Sequence, residues 1–205
     1  MDDAAQIANR TDLSAYWMPF TANRQFKAAP RMVVSASGMY YQSDDGRQIL
    51  DGTAGLWCVN AGHGRAEIAA AVHHQLMSLD YASSFNAGHP LAFDFATRLA
   101  KIAPPGLDRV FYSDSGSTSV EIAIKMAYQY WHQRGGQHVR RTSFVNLTNA
   151  YHGDTVGSVS VGGIDLFHSV YEPLLFSTHQ VKPGDTAELA RILDCLLYTS
   201  DAADE

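Results

Sequence analysis

The run Ser113-Asp114-Ser115-Gly116-Ser117-Thr118-Ser119 is the part of this sequence best equipped to hold an anion. It lies between a short apolar stretch, Val110-Phe111-Tyr112, and a long amphipathic one. The latter carries Val120, Ala123, Ile124, Ala127 and Trp131 at the spacing of a helical stripe. The first turn of a helix leaves backbone N–H groups without intrahelical partners, and those donors together with the helix dipole favour a negative group. Gly116 would let an anion approach the backbone closely, and Ser117 would add a hydroxyl donor. The same residues would also serve as a plain Ser/Asp N-cap with no ligand. Neither G-x-x-x-x-G-K-[ST] nor G-x-S-x-G occurs, which excludes a P-loop and disfavours a hydrolase that uses Ser115 as its nucleophile.

A second group follows at Tyr151-His152-Gly153. The β-branched, apolar residues 142–147 (TSFVNL) read as a buried strand, and Tyr151 follows it after a short turn. In an open parallel sheet, ligands sit beyond the C-terminal ends of the strands, so both groups fall on one sheet edge. A tyrosine there can stack on a planar heterocycle, and Gly153 leaves room beside it. Taken singly, Tyr151 and His152 are equally readable as ordinary loop residues. Trp57 lies in the small-residue run Gly52-Thr53-Ala54-Gly55-Leu56-Trp57-Cys58, where it could wall a pocket or simply pack. The other histidines show no metal-ligand spacing, so no metal site is expected.

The elements that must position these residues are legible in outline. Strands at 39–42 and 48–51 flank Ser43-Asp44-Asp45-Gly46-Arg47, whose Asp-Gly pair marks a hairpin. Residues 67–79 have apolar positions Ile68, Val72, Leu76 and Leu79 at helical spacing. Pro90 opens another helix that runs to about Ile102, and Pro104-Pro105-Gly106 ends it. Strand 110–112, the helix from Gly116 and strand 142–147 make a βαβ pattern, so a mostly parallel sheet covered by helices is expected. Gly135-Gly136 stops the helix. Residues 1–12 read as a loose arm, and the aromatic Tyr16-Trp17-Met18-Pro19-Phe20 is too short to bury itself and suits a partner surface.

Composition sets the class. The chain has 205 residues, enough for one good-sized core or one and a half domains. The net charge of −6 and the lack of any Lys/Arg run argue against a nucleic-acid surface. No apolar run approaches a membrane span, and the polar, acidic N-terminus is no secretory signal, so a cytoplasmic location is the default. Cys58 and Cys195 form no disulfide framework. Residues 195–205 (CLLYTSDAADE) resemble a translated sequencing adapter and are expected to be a non-native tail.

Together these motifs resemble the class III (subgroup II) aminotransferases, enzymes of pyridoxal-phosphate (PLP) fold type I. The resemblance covers residues 13–194, and DSGS followed by Y-H-G is specific as a pair. It implies an α/β chain: an N-terminal arm and small-domain segment at 1–60, then part of a large PLP-binding domain at 61–194. It implies that Gly116 and Ser117 hold the PLP phosphate with Ser115 beside them. Tyr151 would stack on the pyridine ring with His152 as its neighbour. Trp57 would line the substrate pocket, with Tyr16 and Phe20 near its mouth. The implied partners are a small-molecule amino donor, a keto acceptor and a second copy of the chain.

Two branches of the family share the likeness. Residues 17–24 and 51–58 look like ω-amino acid (β-alanine):pyruvate aminotransferases. Residues 111–179 look like the biotin-pathway 7,8-diaminononanoate (adenosylmethionine-8-amino-7-oxononanoate) aminotransferases, although Leu56-Trp57 stands where that branch carries Trp-Trp. Thr118 stands where most of the family has Glu. The family's Schiff-base lysine and pyridinium-pairing aspartate are not recognisable: Lys27, Lys101, Lys125 and Lys182 all lack that lysine's context. The 205-residue chain is therefore expected not to transaminate. A non-catalytic PLP- or phosphate-binding module is the reading from another class.

Overall fold

The structure is a computed structural model and describes residues 11–164 and 169–201, so the first ten residues of the expected arm lie outside it. The chain forms two compact units, one up to Phe93 and one from Asp94.

The first unit is built on a three-stranded antiparallel meander: β1 (Val33–Ser37), β2 (Tyr40–Ser43) and β3 (Gln48–Leu50), with a short helix α1 (Asn23–Ala28) before it. The expected hairpin joins β2 to β3 with Tyr40 opposite Leu50 and Gln42 opposite Gln48. Its turn is tied by Asp45, whose carboxylate accepts from the Ser43 hydroxyl and pairs with Arg47 at 2.8 Å. Gly46 supplies the positive φ of 86° that the turn needs. The β1 strand was not legible as such, because Val33-Val34-Ser35-Ala36-Ser37 lacks a clean alternation and Gly38 alone turns it into β2. Helix α2 (Ala66–Ser78) matches the expected periodicity to within one residue at each end.

Helix α3 (Pro90–Ile102) begins at its proline as expected. His89 caps it: its Nδ1 accepts from the Leu91 amide at 3.2 Å. In the second unit, α4 (Gly116–Gln133) is the longest helix with fully described side chains, and Gly135 and Gly136 end it in the left-handed region with φ of 68° and 58°. Strand β4 (Val145–Leu147) pairs in parallel with β5 (His179–Val181), with Asn146 opposite Gln180. Between them lies the short helix α5 (Val156–Ser160), and helix α6 (Thr186–Asp201) follows β5. That helix runs past Asp194 into the expected non-native tail.

Three expectations need correction. Residues 110–112 pair with no strand among the described residues; Tyr112 stacks on Phe95, with ring centroids 5.9 Å apart. The stripe on α4 is only half covered: Val120, Ile124 and Trp131 are half-buried, while Ala123 and Ala127 are exposed. The good-sized core is not present either. Among the described residues the buried apolar side chains are Val159, Val181 and Ile192, which places the tightest packing around α5 and β5.

Candidate functional site

Helix α4 starts on a cap made by its own sequence. Ser115 is extended, and its hydroxyl accepts from the Thr118 amide at 3.1 Å. Thr118 answers by accepting the Ser115 amide at 3.1 Å and donates its own proton to Asp114 at 2.8 Å. This is a capping box with threonine where glutamate is usual. Ser113 and Ser119 are hydrogen-bonded to each other across the same turn. The side chain of Ser115 is thus committed to the helix end. The amides of Gly116 and Ser117, the first two helical residues, have no partner among the described residues. A Cβ added at Gly116 would meet nothing within 4 Å, so the approach to those amides is open.

The loop after β4 folds back onto this helix start. The Asp154 amide donates to Ser117 Oγ at 3.2 Å, across 37 positions of sequence. Ser117 therefore accepts from the loop and keeps its own proton to donate. Gly153 is what allows the approach: a Cβ there would lie 2.0 Å from Ser117 Oγ, at a φ of 122°. The room that Gly153 provides is filled by Ser117, a reason for the glycine that the sequence did not give. Tyr151 is half out in solvent at 54% exposure, and its hydroxyl donates to Asp154 at 2.6 Å. That hydrogen bond, with burial and the Asp154 charge behind it, pushes the phenol above its ordinary value. His152 is exposed beside it.

Two residues of this arrangement carried no signal in the sequence. Asp154 anchors both Tyr151 and Ser117. Glu121, one turn into α4, accepts the Gly157 amide at 2.6 Å. Its carboxyl is held below the usual value by the hydroxyl of Thr155, which outweighs burial, and by the amides of Gly157 and Ser158. Neither pairing is predictable from local spacing, since each joins residues more than 30 positions apart or depends on a loop conformation.

The remaining candidates, Tyr16, Phe20 and Trp57, lie in the first unit and are 65%, 94% and 76% exposed. Trp57 ends a left-handed turn: Ala54, Gly55, Leu56 and Trp57 have φ of 50°, 59°, 61° and 66°. Each non-glycine residue there costs about 1–2 kcal/mol. Asp51 holds the turn, accepting from the Thr53 amide at 3.1 Å, the Gly55 amide at 2.8 Å and His63 Nε2 at 2.8 Å. Burial alone would raise the Asp51 carboxyl, but hydrogen bonds from His63, Thr53, Tyr41 and Gly55 win and bring it down to about 2. No cluster of three potential metal ligands occurs, and no helix is long and apolar enough to cross a membrane, among the described residues.

Comparisons with known proteins identify the family. The class-III aminotransferase profile matches residues 21–196. An omega-aminotransferase of Caulobacter vibrioides is 46% identical over 94% of this chain and 46% of its own length. An adenosylmethionine-8-amino-7-oxononanoate aminotransferase of Geobacter sulfurreducens is likewise 46% identical, over 87% of this chain and 39% of its own length. A crystal structure of an amine transaminase from an uncultivated Pseudomonas species, in its PLP-bound form, superposes with a TM-score of 0.72 at 37% identity, over 82% of this chain and 38% of that one. The chain spans less than half the length of these relatives. Its α/β units are part of PLP fold type I, and the chain belongs to the class-III aminotransferases.

Proposed function

We propose that the protein binds PLP on the start of α4 and that, at the length of its relatives, it transfers an amino group from an ω-amino acid or amine to pyruvate or a similar keto acid. The observation that carries this is the junction of two free helix-start amides, Gly116 and Ser117, with a loop that brings a half-exposed tyrosine ring to the same place. The residues fit the cofactor: the two amides and the Ser117 hydroxyl would take the phosphate, Ser115 would fix the helix end beside it, and Tyr151 would lie against the ring with His152 next to it. The dipole of a helix start is worth about 0.3–1 kcal/mol to an exposed anion. Asp114 and Asp154 stand nearby and oppose it. Phosphate alone should therefore bind weakly through the dipole, and the charge-assisted hydrogen bonds from the two amides and the Ser117 hydroxyl, together with the stacked ring, must supply most of the affinity.

When bound, PLP supplies the electron sink that amino transfer needs. The contribution of this chain is position. Asp154 keeps Tyr151 a neutral phenol and holds its ring, and the left-handed turn presents Trp57, with Phe20 and Tyr16 as further exposed aromatic contacts for the amine. The lysines of this chain are not proposed to hold the cofactor: Lys125 lies more than two turns along α4 and Lys27 donates to the Ser14 carbonyl. We place the protein in the cytoplasm as a homodimer, supported by exposed apolar residues such as Trp17 and Phe20 at 85% and 94%.

The equal identity to an adenosylmethionine-dependent relative keeps the biotin-pathway reaction as the second reading. A donor panel decides between them: the protein at its relatives' length should form alanine from pyruvate with β-alanine or other ω-amines. Activity with S-adenosylmethionine alone would favour the second reading, and no activity with any amine would reject both.

A further inference from the structure

We propose that Glu121 is the positioning residue of the Tyr151 loop: from α4 its carboxylate caps α5 and so fixes where the tyrosine ring stands relative to the Gly116 and Ser117 amides. The inference rests on reading those amides as the phosphate cradle.

Helix α5 is deeply buried, with Gly157, Ser158, Val159 and Ser160 all buried and Ser158 fully so. A buried helix start must have its amides satisfied. Thr155, at the N-cap, makes no side-chain cap of its own. The cap comes instead from Glu121, 36 positions upstream, whose Oε1 accepts the Gly157 amide at 2.6 Å. The Thr155 hydroxyl, hydrogen-bonded to Ser158 Oγ at 2.9 Å, and the Ser158 amide lower this carboxyl further. The fit is tight: a Cβ on Gly157 would lie 2.3 Å from Glu121 Oε2. Thr155 is followed directly by α5 and preceded directly by Asp154, which donates to Ser117 and holds the Tyr151 hydroxyl. One helix thus grips the loop at two points, Ser117 and Glu121, and the tyrosine lies just beyond.

A carboxylate presents two charged acceptor oxygens to this helix start, whereas glutamine offers one oxygen and turns an NH2 group toward N–H donors. Glu121→Gln should therefore release the start of α5 while keeping side-chain volume, and the loss should appear in the ring contact and not in the phosphate contact.

The test uses the 205-residue chain. PLP affinity is read by fluorescence titration, ring orientation by the induced circular dichroism of the bound cofactor, and inorganic phosphate affinity by 31P NMR. Glu121→Gln is expected to weaken PLP about ten-fold and to reduce the induced signal, in line with the loss of charge-assisted hydrogen bonds. Phosphate affinity should stay within about two-fold, because the α4 amides do not move. Thr155→Val, which removes the hydroxyl that does most to lower the Glu121 carboxyl, should weaken PLP in the same pattern and add little to Glu121→Gln in the double variant; it carries the test if Glu121→Gln does not fold. Unchanged PLP affinity and dichroism in these variants would overturn the inference, as would equal loss of PLP and phosphate, the mark of general destabilisation. A wild-type chain without PLP affinity would overturn the cradle reading and this inference with it.

Discussion

At Gly153 the backbone leaves no space for a methyl group, because Ser117 occupies it. Gly153→Ala is therefore expected to lift the loop off the helix start. The left-handed φ and the overlap together should cost about 2–3 kcal/mol, measured by urea unfolding, and PLP affinity should fall with it. Ser117→Ala would keep the amide and remove only the hydroxyl that both accepts from Asp154 and can donate to a phosphate. A second residue-scale expectation concerns Asp51. Its carboxyl is lowered from 3.8 to about 2 in the folded chain. A depressed pKa means stability that is fully present above 3.8 and lost as pH falls toward 2. Loosening of the Trp57 turn should follow that window in single-tryptophan fluorescence of a Trp17→Phe, Trp131→Phe chain, and Asp51→Asn should abolish the dependence. A turn that keeps its fluorescence unchanged down to pH 2 would contradict the assignment.

Elements whose signal is local were legible, and those that depend on distant partners were not. The hairpin at Asp45-Gly46, the start of α3 at Pro90 and the end of α4 at Gly135-Gly136 each follow from one or two residues with restricted backbone preferences. The stretch 110–112 has strand composition, yet a strand also needs a neighbour, and among the described residues none pairs with it through a ladder. The start of α4 was read as an anion site, but its serines have a division of labour that only coordinates reveal: Ser115 caps, and Ser117 docks the loop. Ser115→Ala should accordingly cost about 1 kcal/mol of stability through the lost cap, seen as a lower urea midpoint. PLP affinity should change less than in Gly153→Ala. The pairing of Glu121 with the start of α5 was illegible for the same reason as strand 110–112, since 36 intervening residues carry no mark of it.

At the scale of the whole molecule, few apolar side chains are buried among the described residues, and large ones such as Leu50, Phe85 and Ile102 are exposed at 59%, 91% and 82%. Such surfaces are normally covered by protein. The isolated chain is thus expected to bind ANS strongly, to melt over a broad range and to associate at micromolar concentration, by dye fluorescence, calorimetry and light scattering. A sharp, cooperative transition with no dye binding would show that the chain closes its own core. The length of the relatives gives the same direction, because each is more than twice as long as the part this chain matches.

The account turns on an anion resting at Gly116 and Ser117 beside the Tyr151 ring, and a paired titration tests it most directly. The chain is titrated with PLP and with pyridoxal, which has the ring and lacks the phosphate, followed by fluorescence under identical salt. PLP should bind at least about ten-fold more tightly, since it alone engages the charge-assisted amide and hydroxyl donors. Ser117→Ala should narrow the gap, and Tyr151→Ala should weaken both ligands. Equal affinity for the two ligands in the wild-type chain would contradict the cradle.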